Sequence, residues 1–177
     1  MAIFTDSIPP VLHNEGGSKP SPDNDGGTVR DGINSKSFPN MPAGFYDGTM
    51  DDATALAVAQ GHYRSVEWAG ISGDQIEDNV LACSLLDAAV NLGVGGAVLL
   101  VQVILNLRFN AGLTMDAGMG PKTLAAINAA GPSLAEKFND ARAGWYAKAS
   151  LGPQGKGWLE TWLARIPACE NNHGGGD

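Results

Sequence analysis

Positive charge is scarce in this chain. Its 11 Lys and Arg stand against 19 Asp and Glu, for a formal net charge of −8 and a pI near 4.7. A phosphate backbone is gripped by a basic face, so nucleic acid is excluded as the main partner. Electrostatic docking on an anionic bilayer is excluded for the same reason, whereas a neutral carbohydrate is compatible. Histidine is rarer still, with only His13, His62 and His173. None stands in an H-E-x-x-H or H-x-x-E-H pattern, and C-x-x-C is missing, so neither a metal site nor a cofactor is expected. The chain has no G-x-S-x-G elbow for an activated serine. It also lacks the G-x-x-x-x-G-K-[ST] loop that cradles phosphate.

Cysteine is limited to Cys83 and Cys169. Two are too few to define a disulfide framework: they could pair in an oxidising compartment, and the favoured expectation is a pair of unlinked thiols with Cys83 buried. Long hydrophobic runs are missing too. The greasiest stretch, VGGAVLLVQVILNL, covers residues 94–107 and contains Gln102. It is shorter than the ~20 residues that cross a bilayer, and it is expected to be a buried core helix. The opening MAIFTDSIPP has neither a basic segment nor a long apolar one, so no signal peptide is expected.

What the chain does hold is helix-forming sequence, with a hydrophobic fraction of 44 % that supplies a core for one compact unit or two sharing it. Ile3, Phe4, Ile8, Val11 and Leu12 recur at helical spacing. With Ser7 as N-cap, Pro9 and Pro10 fall in the first turn, where proline is tolerated, and Gly16-Gly17 ends the helix. Residues 16–48 are rich in Gly, Pro, Asn, Asp and Ser and predict a long loop, with a small β-hairpin near 26–34. Thr49-Met50-Asp51-Asp52 predicts a cap, followed by a helix with Ala53, Leu56, Ala57, Gln60 and Tyr63 along one face. NVLACSLLDAAVNL over 79–92 is a largely apolar helix punctuated by Gly93, Gly95 and Gly96. Gly120-Pro121 opens another helix. Ser133-x-x-Glu136 caps the next, striped by Leu134, Phe138, Ala141 and Trp145. GWLETWLARI over 157–166 is the last, stopped by Pro167. The fold class is therefore all-α, with at most that hairpin. Residues 1–95 are expected to form one part, 96–167 a second packed on it, and 168–177 a disordered tail.

Carboxylates remain as the candidate chemistry. Glu15 ends an apolar helix and is followed at once by Gly16 and Gly17, whose bare backbone lets a polymer lie close. Asp23 and Asp25 stand eight and ten residues on, in PDNDGGT. Glycoside hydrolysis needs one carboxyl to protonate the leaving oxygen and a second to activate water or stabilise the transition state. Desolvation at the end of an apolar helix is one way to keep the first protonated. Asp87 and Asn91 share a helix face and could line a cleft floor or cap the Gly93 turn. Tyr63 and Trp68 could stack on sugar rings or fill the core. Arg165 suits the C-terminal end of its helix, with no role beyond the dipole. Trp145, Trp158 and Trp162 suit packing.

Taken in order, LHNEGG, PDNDGGTVRDGI, DAAVNLG, MDAGMGPKTLAAIN and GWLETWLARI resemble the glycoside hydrolase family 108 lysozymes, which carry a C-terminal segment called a predicted peptidoglycan domain. The likeness runs from about Ile3 to Ile166. It implies a lysozyme-like helical fold and a muramidase that cuts the β-1,4 bond between N-acetylmuramic acid and N-acetylglucosamine in peptidoglycan. It makes Glu15 the general acid. The chain departs from the family pattern at Ser18, where an aromatic residue is common. It departs again at Asn24, where an Asp is usual, and at Val29, where a Thr is usual. The second carboxylate is accordingly assigned to Asp25 with Asp23 behind it, and the water-orienting hydroxyl to Thr28. Gly16, Gly17, Asp23, Tyr63 and Asn91 are the candidate substrate-binding positions. A phage endolysin or a secretion-associated lysozyme is implied, made in the cytoplasm, monomeric, and released to the wall or periplasm through a holin-type membrane pore. Two alternatives keep the same residues. One is a lytic transglycosylase that leaves 1,6-anhydro ends, and the other a wall-binding accessory protein without catalysis.

Overall fold

The computed structural model describes residues 1–15, 17–24, 26–152 and 159–173. Helix dominates, as the apolar spacing predicts. Helix α1 covers Phe4–Glu15 and buries Phe4, Ser7, Ile8, Pro10 and Val11. It starts earlier than a Ser7 cap would allow, because the Asp6 and Ser7 amides already bond the Ile3 carbonyl at 3.1 and 3.2 Å. Pro9 and Pro10 thus lie inside the helix. The residues one turn upstream are exposed, so water can reach the carbonyls that proline leaves without a donor.

Three short strands follow: β1 (Ser21–Pro22), β2 (Thr28–Arg30) and β3 (Ile33–Asn34). They form one antiparallel sheet in the order β1-β2-β3, with Val29 opposite Ser21 on one side and Asn34 on the other. The expected hairpin is β2–β3, and β1 is an addition to it. Its two-residue turn is Asp31-Gly32, with φ of 49° and 78°. Asp-Gly suits this mirror-image turn, whose twist matches that of the flanking strands.

Helix α2 (Asp52–Tyr63) is capped by Asp51, not Thr49: the Asp51 carboxylate accepts from the Thr54 amide at 2.9 Å and from its hydroxyl at 2.7 Å. Its buried stripe is Ala55, Ala59 and Tyr63. The expected stripe through Ala53, Leu56 and Ala57 faces outward, and Leu56 is 37 % exposed. Small alanines let the backbone approach the core, and that contact outweighs the pull of one leucine. A π-helical turn, Arg64–Trp68, continues α2 and swings Glu67 and Trp68 inward.

Helix α3 (Asn79–Phe109) is the centre of the molecule. The Asp78 side chain caps it by accepting from the Leu81 amide at 2.7 Å. By length and composition it is long and apolar enough to cross a membrane. Gly93, at φ 75° and ψ 156°, breaks it into two arms, and Leu81, Leu85, Val98, Val101 and Leu105 are fully buried. Helices α4 (Pro121–Ala130) and α5 (Ser133–Ser150) follow. Ser133 does not cap α5; its hydroxyl donates to the Ala130 carbonyl at 3.2 Å.

Two expectations fail at the C-terminus. Of the residues expected to be a disordered tail, 168–173 continue as helix, α6 (Leu159–Ala164) being followed by α7 (Ile166–His173), and 174–177 lie outside the described residues. The cysteines expected to be free thiols are joined as Cys83–Cys169, 86 residues apart, with Cα atoms at 5.6 Å. Helix α7 folds back on α3, a pairing that cysteine counting cannot register. The main hydrophobic cluster is continuous from Ala2 to Phe138.

Candidate active site

Glu15 is the last residue of α1, and its side chain is 17 % exposed. The β2–β3 turn rests against it. A Cβ on Gly32 would stand 2.7 Å from Glu15 Cγ and 2.5 Å from the Tyr63 hydroxyl. Glycine is therefore required twice there, for its left-handed backbone and for the close approach. The turn is held on both sides. The Asp31 amide donates to the Gly17 carbonyl at 2.9 Å, and the Tyr63 hydroxyl donates to the Asp31 carbonyl at 2.8 Å. Burial, then the charges of Glu15, Glu67 and Asp31, push the Tyr63 phenol far above its ordinary range, so it stays a neutral donor. Tyr63 is 2 % exposed. Its ring is core and braces the turn behind Glu15, with no face left for a sugar. Trp68 is likewise core, its indole donating to Asp74 at 2.9 Å.

Behind Glu15 lies a buried ion network. Arg165 sits at the joint between α6 and α7. Its Nη2 donates to Glu15 Oε1 at 2.6 Å and to Asp87 Oδ1 at 2.8 Å, and its Nε reaches Asp87 Oδ2 at 3.3 Å. Asp87, on α3, is wholly buried; it also accepts from Asn14 at 3.3 Å and from Arg142 on α5. Arg142 donates further to the Tyr146 hydroxyl at 3.0 Å, and its guanidinium lies 5.6 Å from the centre of that ring. Burial lowers the Arg165 pKa, but Asp87 and Glu15 outweigh it, so the group is held above its ordinary value and stays charged.

A second anchor fixes the loop over the site. Arg30, 1 % exposed, donates to the carbonyls of Ser18 at 2.7 Å, Phe45 at 3.2 Å and Met50 at 3.1 Å, and to Asp52 at 2.8 Å. One guanidinium thus ties residues 18–50 to the start of α2. Burial raises the neighbouring Asp31 carboxyl above its usual range against the pull of Arg30.

Of the residues singled out from sequence, the fold brings Glu15, Gly17 and Tyr63 together. Gly16, Asp25 and Trp158 lie outside the described residues. Asp23 closes the β1–β2 turn: its carboxylate accepts from the Asn24 amide at 2.7 Å and from Asn34 at 2.5 Å. Thr28 is half-buried in β2, its amide donating to Ser35 Oγ at 2.9 Å. Asn91 stands away from this cluster. It is exposed and lines an apolar groove of about 490 Å³ with Leu92, Leu99, Val103 and Trp145. Trp145, expected to pack inside, is 46 % exposed. Among the described residues no group of three His, Cys, Asp or Glu could hold a metal ion.

The residues that sequence reasoning missed are the three arginines, Arg30, Arg142 and Arg165. Arg165 looked like a helix-end cation. The signal that could have found it was Asp87, a carboxylate in an otherwise apolar helix, which on burial must find a cation.

Residues 8–93 match the family model described as glycosyl hydrolase 108. That span contains Glu15, the sheet, α2 and the first arm of α3. Among solved structures, "Structure of Brucella abortus SagA" matches with a TM-score of 0.70 and 22 % identity, covering 96 % of this chain and 92 % of that one. At that identity the likeness concerns the fold. The comparison with curated proteins returned no match.

Proposed function

We propose, from the match of residues 8–93 to the glycosyl hydrolase 108 family model, whose lysozyme-like members hydrolyse peptidoglycan, that this chain is a muramidase with Glu15 as its general acid. The bond cut is the β-1,4 link from N-acetylmuramic acid to N-acetylglucosamine. The observation that carries this reading is the position of Glu15: the end of a helix, partly exposed, with the Gly32 turn pressed against its side chain.

Arg165 engages Oε1, which makes Oε2 the oxygen that carries the transferred proton. In the reaction Glu15 gives that proton to the glycosidic oxygen as the bond to the muramic anomeric carbon breaks. Asp25 takes the second carboxylate role, with Thr28 orienting water at the anomeric carbon. Asp23 serves the hairpin instead, since its oxygens are committed to Asn24 and Asn34. A chain made in the cytoplasm reaches the wall through a separate membrane pore, in phage lysis or in secretion.

The test is digestion of purified peptidoglycan by wild type and by Glu15→Gln, with the fragments read by mass spectrometry. Wild type is expected to release muropeptides with reducing muramic ends, and Glu15→Gln to release at least 10²-fold less, as for loss of a general acid. Anhydro-muramic ends would replace this reading with a transglycosylase. Full activity in Glu15→Gln would remove Glu15 from the chemistry.

A further inference from the structure

The Glu15–Arg165 pair joins residues 150 positions apart in sequence. What delivers Arg165 to Glu15 can be read from two pairs of residues. On α3, Cys83 and Asp87 are one helical turn apart. Near the C-terminus, Arg165 and Cys169 are likewise four residues apart. The fold sets them in register: Cys83 is bonded to Cys169, and Asp87 is paired with Arg165. These two rungs, one covalent and one ionic, clamp the last helix on the first arm of α3. Both are out of water, with Cys83 and Asp87 0 % exposed, Cys169 1 % and Arg165 7 %. Glu15 accepts from the same Nη2 that reaches Asp87 Oδ1.

The geometry points to Arg165 as a positioning residue for the Glu15 carboxyl, kept in place by the Cys83–Cys169 disulfide, so that full glycosidase turnover requires that disulfide. The inference rests on the reading of Glu15 as the acid. Arg165 acts through Glu15: by binding Oε1 it fixes the orientation of the carboxyl and so the direction in which Oε2 points. Asp87, itself held by Asn14 and Arg142, fixes the guanidinium in turn. Without the covalent rung, α7 is held by the buried ion network and its packing alone, and Arg165 spends part of its time away from Glu15. Making the rung converts two thiols to one disulfide. The two electrons and two protons pass to a disulfide-bearing oxidant, which leaves as a dithiol. A chain held reduced is therefore slow and becomes fully active on oxidation.

The experiment measures kcat and KM on purified peptidoglycan for the oxidised wild type, for wild type reduced with a phosphine, and for Arg165→Gln, Arg165→Lys and Glu15→Gln. Circular dichroism reports the folded fraction of each, and rates are expressed per folded molecule. Reduction and Arg165→Gln are each expected to lower kcat about 10-fold or more with KM within about twofold, a loss of orientation at the reacting group without loss of binding. Arg165→Lys, a charge without the fork, is expected to recover part of kcat. Reduction should have no further effect on Arg165→Gln. If Glu15→Gln is inactive while reduced wild type and Arg165→Gln keep full kcat, this inference is overturned and the acid assignment stands. If Glu15→Gln is fully active, the acid assignment falls and this inference with it. Should Arg165→Gln not fold, reduced wild type and Arg165→Lys decide the matter, and unchanged kcat in both overturns the proposal.

Discussion

Gly32 shows how narrowly a single residue can be constrained. Any side chain there meets Glu15 and Tyr63 closer than van der Waals contact, at a φ of 78° that other residues rarely adopt. Gly32→Ala should therefore cost roughly 1–3 kcal/mol of stability from backbone strain alone. It should also push Glu15 aside, with a loss of activity on the order of 10²-fold. Thermal melting and fragment release measure the two, and wild-type values of both would show that the turn is not seated as described. Glu67 is a second single-residue case. It is 7 % exposed, its Oε2 has no hydrogen-bond partner among the described residues, and burial pushes its carboxyl up to about 7 from the unfolded value of 4.5. The folded state therefore keeps a proton that the unfolded chain releases. Its contribution to stability is complete below pH 4.5 and is lost as pH rises through about 7. Glu67→Gln should flatten the fall in melting temperature across that window and stabilise the protein above it by roughly 1–3 kcal/mol. Parallel profiles for variant and wild type would contradict a neutral buried Glu67.

At the scale of elements, the central relation is that α1, α3, α5 and the α6–α7 joint meet at one buried carboxylate. Asp87 faces Arg142 and Arg165 together, and both arginines are out of water. Asp87→Asn keeps the shape but removes the only negative partner that Arg142 has among the described residues' ion pairs. Leaving a buried cation uncompensated costs about 3–5 kcal/mol, and urea unfolding should read a loss of that size. A midpoint within error of wild type would mean that packing, not charge, holds these helices together. The elements themselves were largely legible beforehand. The apolar spacing of 79–107, the Gly-Pro before α4 and the small hairpin near 26–34 each predict what is found. The buried face of α2 was not legible, because an alanine stripe and a leucine stripe on the same helix compete, and only the surface it packs against decides. The start of α1 was missed for a similar reason, since burial of Phe4 outweighs what Pro9 and Pro10 cost in backbone bonds.

For the whole molecule, the disulfide is the widest-ranging constraint. It closes a separation of 86 residues between α3 and α7, for which the chain-entropy model gives about 4–5 kcal/mol. Reduction should lower the melting temperature by on the order of 10 °C for a domain of this size, measured with and without a phosphine reductant. An unchanged melting temperature would mean that α7 is dispensable to the fold. Such a result would also undercut the delivery of Arg165.

Local sequence by itself determined the helical class, the small hairpin, Glu15 against its glycines and the order of motifs that resembles family 108. The helices, the hairpin and the Glu15-Gly-Gly run each depend on residues within a few positions of one another, where spacing and backbone preference act directly, and the motif order is read along the chain without any contact between its parts. Tertiary structure alone decided that Cys169 reaches Cys83, that Arg165 is the partner of Glu15, and that Tyr63 braces the site from inside. Those facts join positions up to 150 residues apart. They follow from how the apolar faces of α1, α3, α5 and α7 exclude water together, and that collective packing has no local signature in the chain.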